Sequence, residues 1–424
     1  MKTLAQWLAH IEHQHARPIA LGLDRVRVVS ARLGQSQTCP LILVGGTNGK
    51  GSTCAMIERI LLGAGYRVGL YTSPHLLRYN ERVRIDGREV ADEALCESFA
   101  LVEAARGDTA LTYFEFGTLA AWEVFSRQAL DVVILEVGLG GRLDATNLYR
   151  PDVAVVTAVA MDHMDYLGPT REDIGFEKAG IFRSGRPALC GDADPPRRLV
   201  DHAQAIGAPL MVLGRDFGYR RQEGQWQYYG PRGNKSGLPY PALRGCGQLA
   251  NASCVLATLD ALHDRLPVAV QEIRRGLLEV ELAARFQVLP GRPTVVLDVA
   301  HNPHAVGSLA ESLGGMPYHA RTWAVFAMLR DKDIAGSVEA IKHRIDYWLP
   351  ASLDGPRAAS AAELVDALAA AGVVGPLPAF ESPSAAFEHA RGRAGEDDRI
   401  VVFGSFLTVA DVLRRLNADA AKRH

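Results

Sequence analysis

Short apolar runs recur along the chain: LILVG at 41–45, DVVILEVG at 131–138, DVAVVTAVA at 152–160, TVVLDVA at 294–300 and RIVVFGS at 399–405. Between them lie amphipathic stretches such as 50–62, 115–129, 247–263 and 360–371. Near-continuous Val/Ile/Leu strands alternating with helices predict an α/β fold whose parallel sheets are covered on both faces. Residues 215–240 break the pattern: aromatic, polar and Gly-rich, they predict β-hairpins added to the first sheet. Near the start, Leu4, Trp7, Leu8 and Ile11 share one helical face, and no signal-type apolar core precedes them. A second strand–helix series begins near residue 290, after Pro290-Gly291 and Pro293. That punctuation places a domain boundary around 283–292 and divides the chain into 1–286 and 287–424.

Composition narrows the partners. Lys+Arg 46 against Asp+Glu 48 leaves a formal charge of −2 over 424 residues, with no basic footprint for nucleic acid. No apolar run approaches the roughly 20 residues needed to span a bilayer. The six cysteines are scattered without a CxxC pair, which reads as incidental thiols of a reducing cytoplasm rather than zinc or redox chemistry.

Residues 41–53, LILVGGTNGKGST, run from apolar strand to Gly-rich loop to helix start. Glycines let successive N–H groups point at phosphate oxygens, and the helix N-terminus adds positive charge. Lys50 can neutralise phosphate, and Ser52 or Thr53 can reach Mg²⁺. The spacing GxxxxGK[ST] is not met, because Val44 takes its first Gly position and Gly51 follows the lysine; a loose Gly-rich turn is the alternative.

Further candidates stand at strand ends, where open α/β sheets bind ligands. Glu136, inside DVVILEVG, needs a cation or a structural salt bridge. Ser73 in LYTSPH fits a ligand or a plain Ser-Pro turn. His163 in MDHMDYLG, by residue type, reads as a solvated or capping histidine, and Lys178 in GFEKAGIFR as a surface helix residue. Asp298 closes TVVLDVA before His301-Asn302-Pro303, as a ligand-facing group or an N-cap. Thr112 and Glu115 of TYFE satisfy a capping box, while Tyr113 and Phe114 can wall a flat ring. GLGGR at 138–142 is not a GxGxxG dinucleotide motif, and MLRDKD at 328–333 lacks the Asn of a guanine-reading NKxD.

The variant loop G-T-N-G-K resembles that of the Mur-ligase superfamily, and GTNGKGS is similar to its folylpolyglutamate/dihydrofolate synthase branch in the bifunctional bacterial form. The resemblance runs from LGLDRV at 21–26 to GSF at 404–406. It implies a P-loop ATPase-type N-terminal domain with a mostly parallel sheet and a small hairpin addition, binding ATP and pterin over 1–286. A smaller Rossmann-like domain, 287–424, would bind glutamate. The implied ATP contacts are Gly49, Lys50, Gly51, Ser52, Asn251 in QLANASCVL, Arg285 in AARFQV and Asp298. Two magnesium ions are implied, one on Ser73 and Glu136, the other on His163 and Lys178. An ammonium has only donors, so the family's answer is a CO₂-derived carbamate on Lys178. The implied pterin surface is Ala20, Leu21, Gly22 and Leu23 with Thr112, Tyr113, Phe114 and Glu115 and with Leu143, Asp144 and Ala145; His301 and Ser405 face glutamate.

The sequence departs from this pattern in three places. Ala283-Ala284 stand where Pro-Gly precedes the arginine, although the Phe286-Gln287 continuation favours Arg285 over Arg292 of the separate PGR. Ala20 stands where bifunctional members can carry Asp, and Ala327 replaces Gly in G-M-L-x-D-K-D. The implied activity is ATP-dependent joining of L-glutamate to dihydropteroate and to reduced folates through an acyl phosphate, with Lys50, His163 and Lys178 as catalytic groups. The implied setting is a cytoplasmic monomer with small-molecule partners and neither nucleic acid nor membrane. Two other readings are a Mur-type cell-wall peptide ligase, against which TYFE and Gly51 speak, and a non-catalytic nucleotide switch, under which Glu136, His163 and Lys178 share no purpose.

Overall fold

The computed structural model describes residues 2–17 and 19–421. The chain packs as two units. The first takes the chain as far as Ala160, then Met164–Ala242 and Leu249–Val280; the second takes Met161–His163, Leu243–Gln248 and the chain from Glu281 onward.

The first unit is built on eight strands: β1 (Leu41–Gly45), β2 (Val68–Tyr71), β3 (Val83–Ile85), β4 (Arg88–Glu89), β5 (Val132–Glu136), β6 (Val153–Val156), β7 (Ala188–Cys190) and β8 (Leu210–Val212). Their order is β4-β3-β2-β5-β1-β6-β7-β8, parallel from β2 to β8, with β3 and β4 added antiparallel at one edge. Every residue of β1, β2, β5 and β6 is buried, as expected for parallel strands covered on both faces. The apolar runs of the sequence are longer than the strands they contain: β5 stops at Glu136 and β6 at Val156, and the run continues into loops whose Val137 and Val159 stay buried.

The aromatic segment after β8 forms β9 (Gly218–Gln222), β10 (Gln225–Tyr229) and β11 (Lys235–Leu238). These make a separate antiparallel sheet instead of extending the first one. It has its own anchor. Trp226 and Tyr228 are fully buried, and Asp260 accepts from Tyr228 Oη at 3.0 Å and from Lys235 Nζ at 2.7 Å.

In the second unit β12 (Gln287–Leu289), β13 (Thr294–Leu297), β14 (Thr322–Phe326), β15 (Tyr347–Pro350) and β16 (Arg399–Phe403) form one sheet in the order β12-β13-β16-β14-β15. Only β12 runs antiparallel, on the edge. The helix Pro303–Gly314 follows β13 with Pro at its start and Asn302 as N-cap, whose side-chain oxygen accepts from Ala305 N.

The six cysteines are free, and Cys54, Cys190 and Cys254 are buried; burial pushes the Cys190 thiol up to about 12. Among the described residues no helix is long and apolar enough to cross a membrane.

The helix Leu4–Glu12 begins at a Thr3–Gln6 capping box and buries Leu4, Trp7 and Ile11. Burial of such side chains contributes about 1.5–3 kcal/mol each, and Trp7 meets Phe99 edge-on at 6.1 Å. A polar seam lies beside this contact: Glu103 accepts from Arg106 at 2.6 Å and from Gln14 at 2.7 Å, and lies 3.2 Å from His10. The Arg106 hydrogen bonds, then those of Gln14 and His10, outweigh desolvation and hold the Glu103 carboxyl at about 2. A carboxyl lowered on folding stabilises above its unfolded value near 4.5, and that contribution disappears as pH falls from there toward 2. In Glu103→Gln, the fall in melting temperature between pH 5 and pH 3 should therefore be shallower than in the parent, as read by Trp7-sensitive fluorescence. Identical slopes would remove Glu103 from the acid response.

Candidate active site

The phosphate loop starts where β1 ends. Gly46 (φ 137°) and Gly49 (φ 89°) turn the backbone through angles that side-chain-bearing residues resist. Gly49 is also needed for space, because a Cβ there would lie 2.4 Å from Asn251 Oδ1. The loop is pinned from the neighbouring strand: Thr157 Oγ1 donates to Asn48 O at 2.6 Å, and Thr47 N to Ala158 O at 2.7 Å. Lys50 opens the helix Lys50–Gly63 and folds back, donating to Gly46 O at 3.0 Å and Thr47 O at 3.2 Å. Gly51 follows Lys50 in the first turn, and Ser52 and Thr53 are buried behind it. The structure thus brings Gly49, Lys50 and Asn251 around one helix N-terminus.

Glu136 pairs in register with Val44, one residue before the end of β1, and is almost fully buried. Its Oε2 accepts from Ser73 N at 3.2 Å. The parallel register of β2 with β5, Tyr71 opposite Leu135, delivers Ser73 to this carboxylate. Lys178, expected from its helical setting to face solvent, is only 3 % exposed. The GLGGR segment packs against the same turn. A Cβ on Gly141 would stand 2.8 Å from Glu177 O and 2.9 Å from Lys178 O, so that glycine admits the loop onto the helix Arg171–Ala179 that carries the lysine. Among the described residues no group of three or more His, Cys, Asp and Glu forms a ready metal cage. Magnesium rarely uses one, taking one or two carboxylates together with phosphate oxygens and water, and the Ser73–Glu136 pair beside the phosphate loop fits that donor set.

Three separated segments meet elsewhere in the first unit. Gly22 N donates to Leu143 O at 3.2 Å, joining 20–23 to 143–145. Arg25 ties both to TYFE: its guanidinium donates to Ala20 O at 2.5 Å and pairs with Glu115 at 2.9 Å. The capping box is real as well, with Glu115 N on Thr112 Oγ1 at 3.3 Å and Thr112 N on Glu115 Oε2 at 2.8 Å. Phe114 lies against Gly138, where a Cβ would come within 2.5 Å of the ring, and 6.0 Å from Tyr71; Tyr113 stands edge-on to Tyr79 at 5.9 Å. Asp144, a candidate for pterin hydrogen bonding, is buried with both oxygens engaged by its own loop. Leu139 N donates at 2.8 Å, Thr146 N at 3.0 Å and Thr146 Oγ1 at 2.6 Å, and burial raises its pKa.

In the second unit Asp298 is not an N-cap; that position belongs to Asn302. Its carboxylate accepts from Phe286 N at 2.7 Å and Ala300 N at 2.8 Å, and burial raises its pKa against these bonds and the nearby charge of Arg285. Ala284 (φ 60°) and Phe286 (φ 46°) flank Arg285 in left-handed conformations, so Ala284 holds without glycine a turn in which glycine is the easy residue. The Arg285 guanidinium lies over the Phe406 ring at 5.0 Å, whereas Arg292 is exposed and pairs with Glu396 at 3.7 Å. His301 Nδ1–H donates to Val299 O at 2.8 Å, and its ring stands 6.2 Å from Phe406. Ser405 is buried, its hydroxyl receiving Thr408 N at 3.0 Å. His163 also belongs to this unit, in a left-handed conformation (φ 52°) with Lys332 Nζ 3.2 Å from its Nε2. Both residues contact Asp162. Burial pushes that carboxyl up, but the nearby His301 imidazole, 3.6 Å away, and the charges of His163 and Lys332 prevail and hold it well below the usual range. Arg25, Asp162 and Lys332 are the participants that sequence reading did not select.

Comparison with known proteins identifies the family. The Mur ligase middle domain matches residues 44–215, and the Mur ligase, glutamate ligase domain, residues 284–406. The dihydrofolate synthase/folylpolyglutamate synthase of Escherichia coli K12 is 46 % identical, covering 98 % of this chain and 96 % of its own. That of Haemophilus influenzae is 41 % identical, covering 96 % of each. A solved structure of E. coli FolC in complex with DHPP and ADP superposes with TM-score 0.94 at 46 % identity, over 99 % of both chains. A bifunctional folylpolyglutamate synthase/dihydrofolate synthase with Mn, AMPPNP and L-glutamate bound gives TM-score 0.91 at 45 % identity, over 98 % of both. The chain belongs to the dihydrofolate synthase/folylpolyglutamate synthase family of ATP-dependent ligases in the Mur ligase superfamily.

Proposed function

We infer that the enzyme joins L-glutamate to dihydropteroate, giving dihydrofolate, and adds glutamate to reduced folates, with ATP as the activating substrate and a divalent metal in support. The observation that carries the chemistry is the Glu136 carboxylate with Ser73 N on it, one strand from the phosphate loop. A substrate carboxylate oxygen attacks the γ-phosphorus, the bond to the β-phosphate oxygen breaks, and ADP leaves. The glutamate amine then attacks the acyl carbon, loses its proton, and releases phosphate as the amide forms.

The side chains mainly position and neutralise. Lys50 turns from the loop carbonyls to the phosphates. Gly49, Gly51 and Ser52 present backbone N–H groups, and Asn251, Arg285 and Asp298 bind the rest of ATP. Ser73 and Glu136 hold one magnesium; His163 and Lys178 hold a second. When bound, magnesium spreads the negative charge that develops on the transferring phosphoryl group. Lys178 serves only after its neutral amine adds CO₂, forming an N–C bond and losing a proton, because an ammonium offers no lone pair. Residues 20–23, 112–115 and 143–145 form the pterin surface, in which Asp144 shapes the loop; His301 and Ser405 face glutamate. This division assigns the phosphate loop and the pterin surface to 1–286 and glutamate to 287–424, with Asp298 an ATP contact from the latter. The second unit's main segment begins at Glu281, a few residues before that boundary, and so includes Arg285. The scattered free cysteines fit a reducing cytoplasm, and the enzyme acts as a monomer on small molecules alone.

Lys50→Ala should abolish glutamate-dependent ADP release while the protein stays folded, because it removes a charge and little packing. Near-normal turnover by the folded variant would end the assignment of this loop.

Lys178→Ala should be inactive, with partial rescue by a short carboxylic acid. Carbon-13 NMR under labelled CO₂ should show a carbamate signal in the parent and none in the variant. An active, metal-loaded enzyme with a bare Lys178 amine would refute the carbamate.

Phe114→Ala should lower kcat/KM for dihydropteroate at least tenfold more than for a reduced folate, since the longer substrate must seat its ring differently to bring its acid to the same phosphate. Tenfold corresponds to about 1.4 kcal/mol of differential transition-state binding. Equal losses would mean one shared ring site.

A further inference from the structure

Asp162 has no part in the metal, ATP or glutamate sets above, yet four groups of the second unit converge on its carboxylate. Oδ1 accepts from Lys332 Nζ at 2.6 Å and from the backbone N–H of His163 at 2.9 Å. Oδ2 accepts from Asn302 Nδ2 at 3.1 Å and lies 3.6 Å from His301 Nε2. The two ions are nearly buried, at 8 % side-chain exposure for Asp162 and 6 % for Lys332.

Each partner is fixed by a second bond. Lys332 also reaches His163 Nε2 at 3.2 Å. Asn302 caps the helix Pro303–Gly314 through Ala305 N at 2.9 Å. The His301 ring is turned by Nδ1 at Val299 O, 2.8 Å. His163 sits at φ 52°, a conformation that a non-glycine residue keeps only when its surroundings impose it. A buried ion pair is weak evidence for stability, but the hydrogen bonds around this one leave its carboxylate few alternative arrangements.

We propose that Asp162 is a positioning residue that sets the His163 and His301 imidazoles in one frame, holding His163 through its own amide and Lys332, and His301 through its carboxylate charge 3.6 Å from Nε2 and through the shared neighbour Asn302. One carboxylate thereby orients a group assigned to the metal and a group assigned to glutamate. The inference rests on that reading of the two histidines, and its test separates the two.

Asp162→Asn alone leaves Lys332 without its counter-ion, so the paired variant Asp162→Asn/Lys332→Met, which removes both charges, is the main probe. On the full chain, nitrogen-15 NMR of labelled histidine follows the rings, assigned with His163→Gln and His301→Gln. Electron paramagnetic resonance follows Mn²⁺ alone, and steady-state kinetics separates KM for glutamate from kcat. In the folded paired variant both ring signals should move, Mn²⁺ binding should weaken about tenfold and KM for glutamate should rise about tenfold, with kcat changed less than threefold. An unmoved ring overturns the inference, as do moved rings with metal binding and KM unchanged. If His163→Gln and His301→Gln themselves leave metal binding and KM unaltered, the assignment of those histidines fails and the inference with it. If they are costly while the Asp162 variants are not, Asp162 alone loses its role.

Discussion

A carboxylate buried at the end of an apolar strand is the constraint around which the first unit is arranged. Glu136 would cost several kcal/mol to bury without partners. Its position is fixed by parallel register: β1 and β2 flank β5, so the phosphate loop and Ser73 emerge on either side of it. Strand pairing has a period of two, and a slip of one residue would turn Glu136 to the opposite face and leave the loop without its acidic neighbour. The continuous Val/Ile/Leu composition of these strands therefore does more than fill a core; it locks the register that brings a hydroxyl residue, a carboxylate and a helix N-terminus to one edge.

Much of this was legible because it is local. The strand–loop–helix order at 41–53, the helical face of Leu4, Trp7 and Ile11, and the Thr112–Glu115 box are patterns within a few residues, and each forms as read. Strand ends were less legible, since buried loop residues such as Val137 and Val159 carry the same apolar signature as the strands before them. The hairpins were recognisable as hairpins, but their partner was not. Whether they join the large sheet depends on the anchor at Asp260, far along the chain from Tyr228 and Lys235.

What stayed hidden depends on distance in sequence. Lys178 occupies a polar helix whose solvent side would ordinarily take a lysine; the GLGGR loop that packs onto its turn comes from residues 138–142, well earlier in the chain, so no local pattern marks its burial. Asp162 and Lys332 lie 170 positions apart, and no local spacing announces their pairing. Glu115 shows the converse. It caps a helix, as its spacing said, and also holds Arg25 against the backbone of residue 20. A capping explanation and a site explanation for one residue need not compete.

The second unit draws on three stretches of chain, and the shortest, Met161–His163, carries Asp162. A fragment cut at Glu281 would keep Lys332, His301 and Asn302 but lose the carboxylate they share, leaving an ammonium enclosed without an anion. The two units are therefore not interchangeable cassettes that recombination could swap at a single joint. Any transplant of the glutamate-ligase half must carry three residues from the middle of the other half, and a chimera that respects only the linear boundary inherits an electrostatic defect at the centre of its new module.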